Sequence, residues 1–461
     1  MGERIVEERG GRAGFAALAR IALLVVAVVV GGREVRAQGQ MSQPGVPSEI
    51  NVVENYSTGG LVEIVIPNMA TGFQEKCLVY MPFDSLHLGP RPVLVVFHPF
   101  GQNHMDAYDD TDLVEECRAR GWFLISPLGA SKKGFSSLTS QANQEFVIEG
   151  VVEAFAPWVD YTRIYGIGFS MGAGDAAAYA ARHLDPFDPL FAALFLHTGS
   201  MDKAYGWQTN PGTQWIHEFW TGGTPSQVPF EYERVSPIKV DSFTGLLLPG
   251  THLGTNLQHV PNKTYIADDD PNFELKQQAY ALVQYQAGFP TGDFAYEFDT
   301  TDYSALPLAH TWDTLDQGAA LDWLAQRQLR LPDSGRLRVD VDDHQYWWFR
   351  VKQDQLGAFT DFDWSVDTAA NTVSVTGSEN LGGVRIPYSL MGFQPGPLTI
   401  TTGSADGTSD VFIVSGLGAA PTAVLRNGAP AQQGTHFNYN AVADMLLLYG
   451  TPASVDWTVT P

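Results

Sequence analysis

The chain has 461 residues, with 44% hydrophobic, 17% charged and 12% aromatic side chains. That balance excludes a disordered tail, a collagen-like fibre and a coiled coil, and the length predicts about two globular domains. Fifty-one Asp and Glu against 27 Lys and Arg leave a net charge of −24, which repels phosphate backbones and anionic lipid and argues against nucleic acid as a partner.

Residues Met1 to Arg20 carry four Arg and three Glu and precede the apolar run Ile21–Val30 and then Gly31-Gly32. The run is short for a bilayer span, and Val35-Arg36-Ala37 supplies small residues for cleavage after Ala37. Residues 1–37 therefore read as a signal peptide, and the mature protein as secreted or periplasmic with no stable membrane span. A polar N-terminal segment, 38–57, follows. The two cysteines, Cys77 and Cys117, exclude a disulfide scaffold and any multi-cysteine metal site. They form one bridge or stay as two buried thiols; the spacing does not choose between these.

Apolar strand runs appear at Leu61–Ile66, Cys77–Met81, Val93–His98, Phe123–Ser126, Arg163–Gly168, Phe191–His197 and Thr264–Ala267. Helical patterns lie at Ala107–Ala119, Gln144–Ala156, Met171–His183, Phe273–Gln286 and Asp313–Arg327. Adjacent early strands followed by alternating strand and helix predict a doubly wound, mostly parallel sheet, an α/β fold, over 58–331. The patterning changes near Arg330. From 336 to 461 short alternating segments separated by Gly, Asn, Asp and Pro predict an all-β sandwich, for which about 125 residues is an ordinary size. Its segment Tyr346-Trp347-Trp348-Phe349-Arg350-Val351 reads as an aromatic strand whose rings go mainly to core or interface, since successive side chains point to opposite faces.

Arg163-Ile164-Tyr165-Gly166-Ile167-Gly168-Phe169-Ser170-Met171-Gly172 runs from an apolar strand through G-x-S-x-G into an Ala-rich helix. In that context the motif is a nucleophile elbow: the tight turn lifts the Ser170 hydroxyl above the sheet, and Gly168 and Gly172 relieve the crowding. The segment from Val159 to Gly172 resembles secreted α/β-hydrolase serine esterases, the polyhydroxybutyrate-depolymerase-like and feruloyl-esterase-like group related to prolyl-oligopeptidase-type domains. The likeness covers roughly Ile64 to Gln328 and is specific for the superfamily rather than for a substrate.

The resemblance implies an oxyanion loop in Phe97-His98-Pro99-Phe100-Gly101, where Pro99 replaces the family's Gly. Proline has no N–H to donate, so the implied donors are the backbone groups of Phe100 and Met171. His98 reads as a loop-bracing histidine. In the resembled family the order is Ser, acid, His, which admits His252, His259 and His310; the family's placement of its histidine after the last strand and before the final helix implies His310 as the base. The acid comes from Asp268-Asp269-Asp270-Pro271: matching the Asp-Pro step selects Asp270, with Asp268 the alternative, and Asp299 and Asp302 weaker ones. Asp106, Asp109, Asp110 and Asp112 lack the spacing of a calcium loop and read as a solvated helix start. Nothing in the motifs requires a metal or a cofactor.

A cap-like insertion at about 200–260 carries Tyr205, Trp207, Trp215, Phe219, Trp220, Phe230 and Tyr232. These rings either cover the pocket or form the insertion's own small core. The resulting expectation is an exported serine hydrolase of carboxylic esters, on a feruloyl, acetyl or polyester substrate, polymeric or carbohydrate-linked. A prolyl-oligopeptidase-like peptidase and a catalytically silent binding protein are the competing readings.

Overall fold

The computed structural model describes residues 47–461 apart from 250–251, 291, 307–308 and 452. The expected leader and its cleavage site lie outside the described residues. Among the described residues no helix is long and apolar enough to cross a membrane.

Nine strands form the first sheet: β1 Glu49–Asn55, β2 Gly60–Asn68, β3 Phe73–Met81, β4 Arg91–Phe97, β5 Phe123–Pro127, β6 Val159–Phe169, β7 Ala193–His197, β8 Asn262–Ala267 and β9 Phe294–Asp299. Their order across the sheet is β1-β2-β3-β5-β4-β6-β7-β8-β9. The first three are antiparallel to their neighbours, and β5 through β9 run parallel. The central strands are buried from end to end, as a sheet covered on both faces requires. One cluster on one face holds Val93, Val95, Phe97, Val147, Val151 and Ala177; the other face packs Leu94, Val96, Tyr165, Ile167, Leu321 and Leu324. The alternation of Val93 to Phe97 between the two clusters is the period of two of a strand.

Strand β1 falls inside the segment read as polar. It is an edge strand with Glu49 and Asn51 exposed, so pairing along β2 forms it rather than apolar burial. The pattern at 107–119 resolves into two helices, Asp106–Asp109 and Leu113–Arg120, broken at 110–112. Cys77 and Cys117 are both free and buried, one in each of the two clusters that flank the sheet.

The rest of the chain forms a seven-stranded and a six-stranded sheet. Their shared core includes Leu337, Phe362, Trp364 and Trp457 from one and Phe349, Val384, Phe412 and Leu448 from the other. The sandwich is not wholly antiparallel: Thr372–Glu379 pairs parallel with Leu398–Ser404, and Leu381–Pro387 with Val411–Ser415. The aromatic segment is a hairpin rather than one strand. Tyr346 pairs with Phe349 across a two-residue turn, with Trp347 at φ +47°, and Tyr346, Trp347 and Phe349 are buried.

The β-rich part is seated on the α/β part through buried polar contacts. The Asn256 amide donates to the carbonyls of Ala181 and Arg338 at 2.7 and 2.6 Å and accepts the Arg338 N–H at 2.9 Å. The Trp347 N–H donates to the Leu184 carbonyl at 2.8 Å, and Leu184 and Leu190 belong to the sandwich core.

Candidate active site

Strand β6 ends at Phe169, and the helix Met171–Arg182 starts immediately after Ser170. Ser170 itself takes φ +57° and ψ −118°, a conformation costly for a residue with a Cβ and tolerated where surrounding structure enforces it. Two glycines make the turn possible. A Cβ on Gly172 would strike the Phe97 carbonyl at the end of β4, and one on Gly168 would strike the backbone of Gly172. The helix therefore sits against the strand ends with its free N–H groups beside the Ser170 side chain.

His310 Nε2 lies 2.9 Å from Ser170 Oγ, and His310 Nδ1 lies 2.7 Å from Asp270 Oδ2. The other Asp270 oxygen accepts the Asn272 N–H at 2.8 Å, so the carboxylate is fixed from both sides and is 2% exposed. Asp268 is exposed and does not reach the imidazole; its backbone N–H pairs with Asp299. Asp299 accepts the hydroxyls of Tyr265 and Tyr303, both at 2.6 Å, and Asp302 caps its own turn through the Ser304 N–H. Phe169 packs between His310 and the buried His197, each ring centroid 4.5 Å away. Burial holds His197 well below the ordinary imidazole range, at about 3, so it stays neutral behind the site.

On the other side of Ser170, His98 ties its loop to two carbonyls, Pro99 at 2.9 Å and Leu128 at 3.0 Å. The Gly101 N–H is taken by the Lys132 carbonyl at 2.8 Å, which removes it as a donor to a ligand and leaves Phe100 as the neighbouring N–H in this loop. The loop 128–135 that supports it is anchored in turn. Glu75 accepts the N–H groups of Gly129 and Ala130, each at 2.7 Å, and Ser136 Oγ donates to the buried Asp175 at 2.6 Å. Phe135 and Ser136 both take positive φ, +46° and +56°, and their anchors hold the Phe135 ring 5.3 Å from Phe100. Lys203 lies fully buried beside this corner, donating to the Ser200 carbonyl at 2.7 Å with Asp175 4.0 Å away. Burial lowers its ammonium to about 8.

These parts open into a cleft of ≈ 880 Å³. Its aromatic lining is Phe100, Phe135, Phe169 and Trp312, none of them from the insertion. The insertion's rings go elsewhere: Tyr205 and Tyr232 are buried, Trp207 donates to Glu218 at 2.9 Å, Phe230 packs at a tilt against Phe359 of the β-rich part with centroids 5.0 Å apart, and Trp215 and Phe219 face solvent. What the insertion brings to the cleft is polar side chains, Ser200, Thr209, Asn210, Thr213 and His217, together with Gly206.

Asp106 is not a solvated helix residue. It is 3% exposed and accepts the Trp312 indole N–H at 2.8 Å, directly behind the His310 loop. Burial, opposed by that bond and reinforced by Asp110 and Asp109, pushes its carboxyl up to about 7. Among the described residues, Glu145, Glu149 and Asp188 offer carboxylate oxygens within 4.8 Å of one another as a place for a metal ion, and none of the three lines the cleft. His217, Phe135, Asp106 and Glu75 carry no sequence motif. The positive φ pair at Phe135-Ser136 and the burial of the others arise only from tertiary packing.

No family model matches the chain. No curated protein matches it either. Solved structures do. An S-formylglutathione hydrolase from Agrobacterium tumefaciens is 13% identical with a TM-score of 0.45, over 60% of this chain and 99% of that one. An acetyl xylan esterase from Paenibacillus sp. R4 is 13% identical with a TM-score of 0.41, over 70% and 96%. Porphyromonas gingivalis dipeptidyl peptidase 4 is 16% identical with a TM-score of 0.41, over 59% and 36%. The parallel sheet with its antiparallel edge, and a serine at the strand-to-helix turn after β6, give this chain the α/β-hydrolase fold followed by a β-sandwich.

Proposed function

We propose that the protein is a serine hydrolase of carboxylic esters, exported after removal of residues 1–37. The observation that carries this reading is the hydrogen-bonded run from Ser170 Oγ through His310 to Asp270, at 2.9 and 2.7 Å. Ser170 Oγ attacks the ester carbonyl carbon while its proton passes to His310 Nε2. Asp270 holds the Nδ1–H tautomer and stabilises the imidazolium without taking the proton. The Phe100 and Met171 N–H groups receive the negative charge that develops on the carbonyl oxygen, where fixed dipoles need no reorganisation. His310 then gives its proton to the departing alcohol oxygen, and water repeats the sequence on the acyl-enzyme to release the acid and restore Ser170. A feruloyl, acetyl or polyester acyl group fits within this chemistry.

A peptidase that grips a free amino terminus is the second reading, favoured by Glu274 and Asp313 in a cleft whose lining has no Lys or Arg. Purified mature protein is to be assayed on p-nitrophenyl acetate and butyrate and on dipeptidyl p-nitroanilides, alongside Ser170→Ala, with a phosphonate trap and mass spectrometry. Ester turnover lost in the variant, with label on Ser170, is the expected result. Anilide turnover without ester turnover moves the assignment to the peptidase, and neither turnover nor label refutes both.

A further inference from the structure

Strands β1 and β9 are the two edges of the nine-stranded sheet, and they are built differently. On β1 the pairing with β2 shifts register between Val52 and Glu54, and the strand carries Glu49 and Glu54. A bulge and charged side chains are devices that keep a free edge from pairing with another chain. Strand β9 runs in unbroken register along β8 and holds no bulge, proline or lysine.

The ladder fixes which groups of β9 point outward. The Asn262 N–H donates to the Asp293 carbonyl at 3.0 Å and the Asp268 N–H to the Asp299 carbonyl at 2.8 Å, so the odd-numbered residues of β9 bond to β8. Phe294, Tyr296 and Phe298 therefore turn both N–H and C=O away from β8, and no strand of the sheet lies beyond them. Their side chains share one face, where the Phe298 ring lies 5.8 Å from Tyr280 and the Phe294 ring 5.4 Å from Phe289, centroid to centroid. Tyr296, between them, is 63% exposed. An aromatic face beside an unprotected edge is a template for strand addition.

Paired antiparallel with itself, this strand is its own complement. With Tyr296 on the twofold axis, it faces Tyr296 of the second copy, and Phe294 faces Phe298 of the second copy on either side. Each outward N–H then meets an outward C=O, and three aromatic pairs stack on one face. On the opposite face Ala295 stands across from Glu297 of the second copy, which keeps the two glutamates out of direct opposition, and Lys263 pairs with Glu297 at 2.6 Å. At the ends Asp293 meets Asp299 of the second copy. Arg327 pairs with the first at 2.9 Å, and the Tyr265 and Tyr303 hydroxyls hold the second, so neither charge is bare.

We infer that two copies of the chain associate through β9, antiparallel about Tyr296, into one continuous sheet. The inference is independent of the hydrolase reading. A net charge of −24 opposes an anionic membrane as the occupant of this edge, and the same charge makes the pairing of two copies tighten as salt rises.

Sedimentation equilibrium and light scattering on the purified mature protein are expected to give twice the chain mass, with a lower Kd at about 0.5 M salt than at about 0.05 M. Tyr296→Pro removes an outward N–H that β8 does not use, and Tyr296→Lys places a charge on the twofold axis. Each is expected to raise Kd by about tenfold or more. Val52→Lys, on the opposite edge, is expected to leave Kd within about twofold. Unfolding midpoints measured at concentrations where the protein is monomeric show whether a variant still folds, and Tyr296→Lys, which leaves the backbone unconstrained, decides the matter if Tyr296→Pro does not. A monomer at every salt concentration, or a dimer that survives in a folded Tyr296 variant, overturns the inference. A dimer lost in Val52→Lys and kept in Tyr296→Lys moves the interface to β1 and overturns it as well.

Discussion

Arg182, the last residue of the helix that starts beside Ser170, donates from Nε to Asp340 of the β-rich part at 3.0 Å. Arg234 donates to the same oxygen at 2.8 Å, and the Asp340 side chain is 1% exposed. Asp340→Ala removes the shared carboxylate of two largely buried guanidinium groups, which keep Gln141 and Glu231 as partners, so the cost falls at the lower end of the about 3–5 kcal/mol that breaking a buried pair takes. Denaturant unfolding of the variant should show the midpoint falling by a corresponding amount. Since the contact fastens both parts of the chain, intrinsic fluorescence and far-UV dichroism should shift together; a drop confined to one probe would contradict the coupling.

Replacing Asp270 by Asn preserves the shape but offers Nδ1 the wrong partner, and the imidazole loses both its tautomer and the charge that stabilises its protonated form. In triads of this kind the loss in kcat is about 10⁴-fold, with KM little altered. Asp268→Asn, at an exposed position that does not reach His310, should leave kcat within about twofold of wild type, the usual scatter for a surface change. Steady-state kinetics on p-nitrophenyl butyrate separates the two positions.

Glu75 is fully buried, and burial raises its carboxyl to about 7 against the backbone N–H bonds that lower it. The unfolded side chain titrates near about 4.3, so between these values the folded state holds the extra proton and stability declines as pH rises. Wild-type unfolding midpoints should therefore drop between about pH 5 and about pH 8, and Glu75→Gln should show a shallower drop. Above about pH 7 the same variant sets an amide NH₂ against one of the two backbone N–H groups of Gly129 and Ala130 that the carboxylate accepts, so its midpoint should be lower there. An unchanged pH slope in the variant would exclude the titration of Glu75 as its cause.

The carboxylate lining of the cleft predicts selection by charge. A p-nitrophenyl ester whose acyl chain ends in a carboxylate should have a lower kcat/KM than its neutral analogue of equal length. Because the effect is Coulombic, the gap should narrow as ionic strength rises from about 0.01 to about 0.5 M. A gap insensitive to salt would point to shape in place of charge.

The strands and the Ser170 turn were legible because each follows from local pattern, an apolar run and a glycine pair, whereas His310 and Asp270 were singled out by the resemblance. Asp270 and Asp268 could be ranked only by the Asp-Pro step; the fold separates them by pointing one inward to His310 and leaving the other exposed. Tyr346-Trp347-Trp348-Phe349 misled because four aromatic residues satisfy strand propensity, whereas the chain turns between the second and third and buries three of the rings by folding back. The acidic residues at 106–112 read as solvated because sequence does not reveal that Trp312 closes over Asp106.

The contacts of Asn256 and Leu184 have a consequence for how this polypeptide can be taken apart. Accessory units joined by slack tethers can be deleted or exchanged between enzymes, and they sample a wide volume around their host. Here the seam is a glued joint, with an amide bonded to carbonyls on both sides and two leucines of the α/β part buried in the sandwich. A chain cut in the low 330s would expose those leucines to water, so separating the two parts is expected to lower the solubility of the first. Any surface the sandwich offers to a polymer is consequently held at a fixed distance and angle from Ser170.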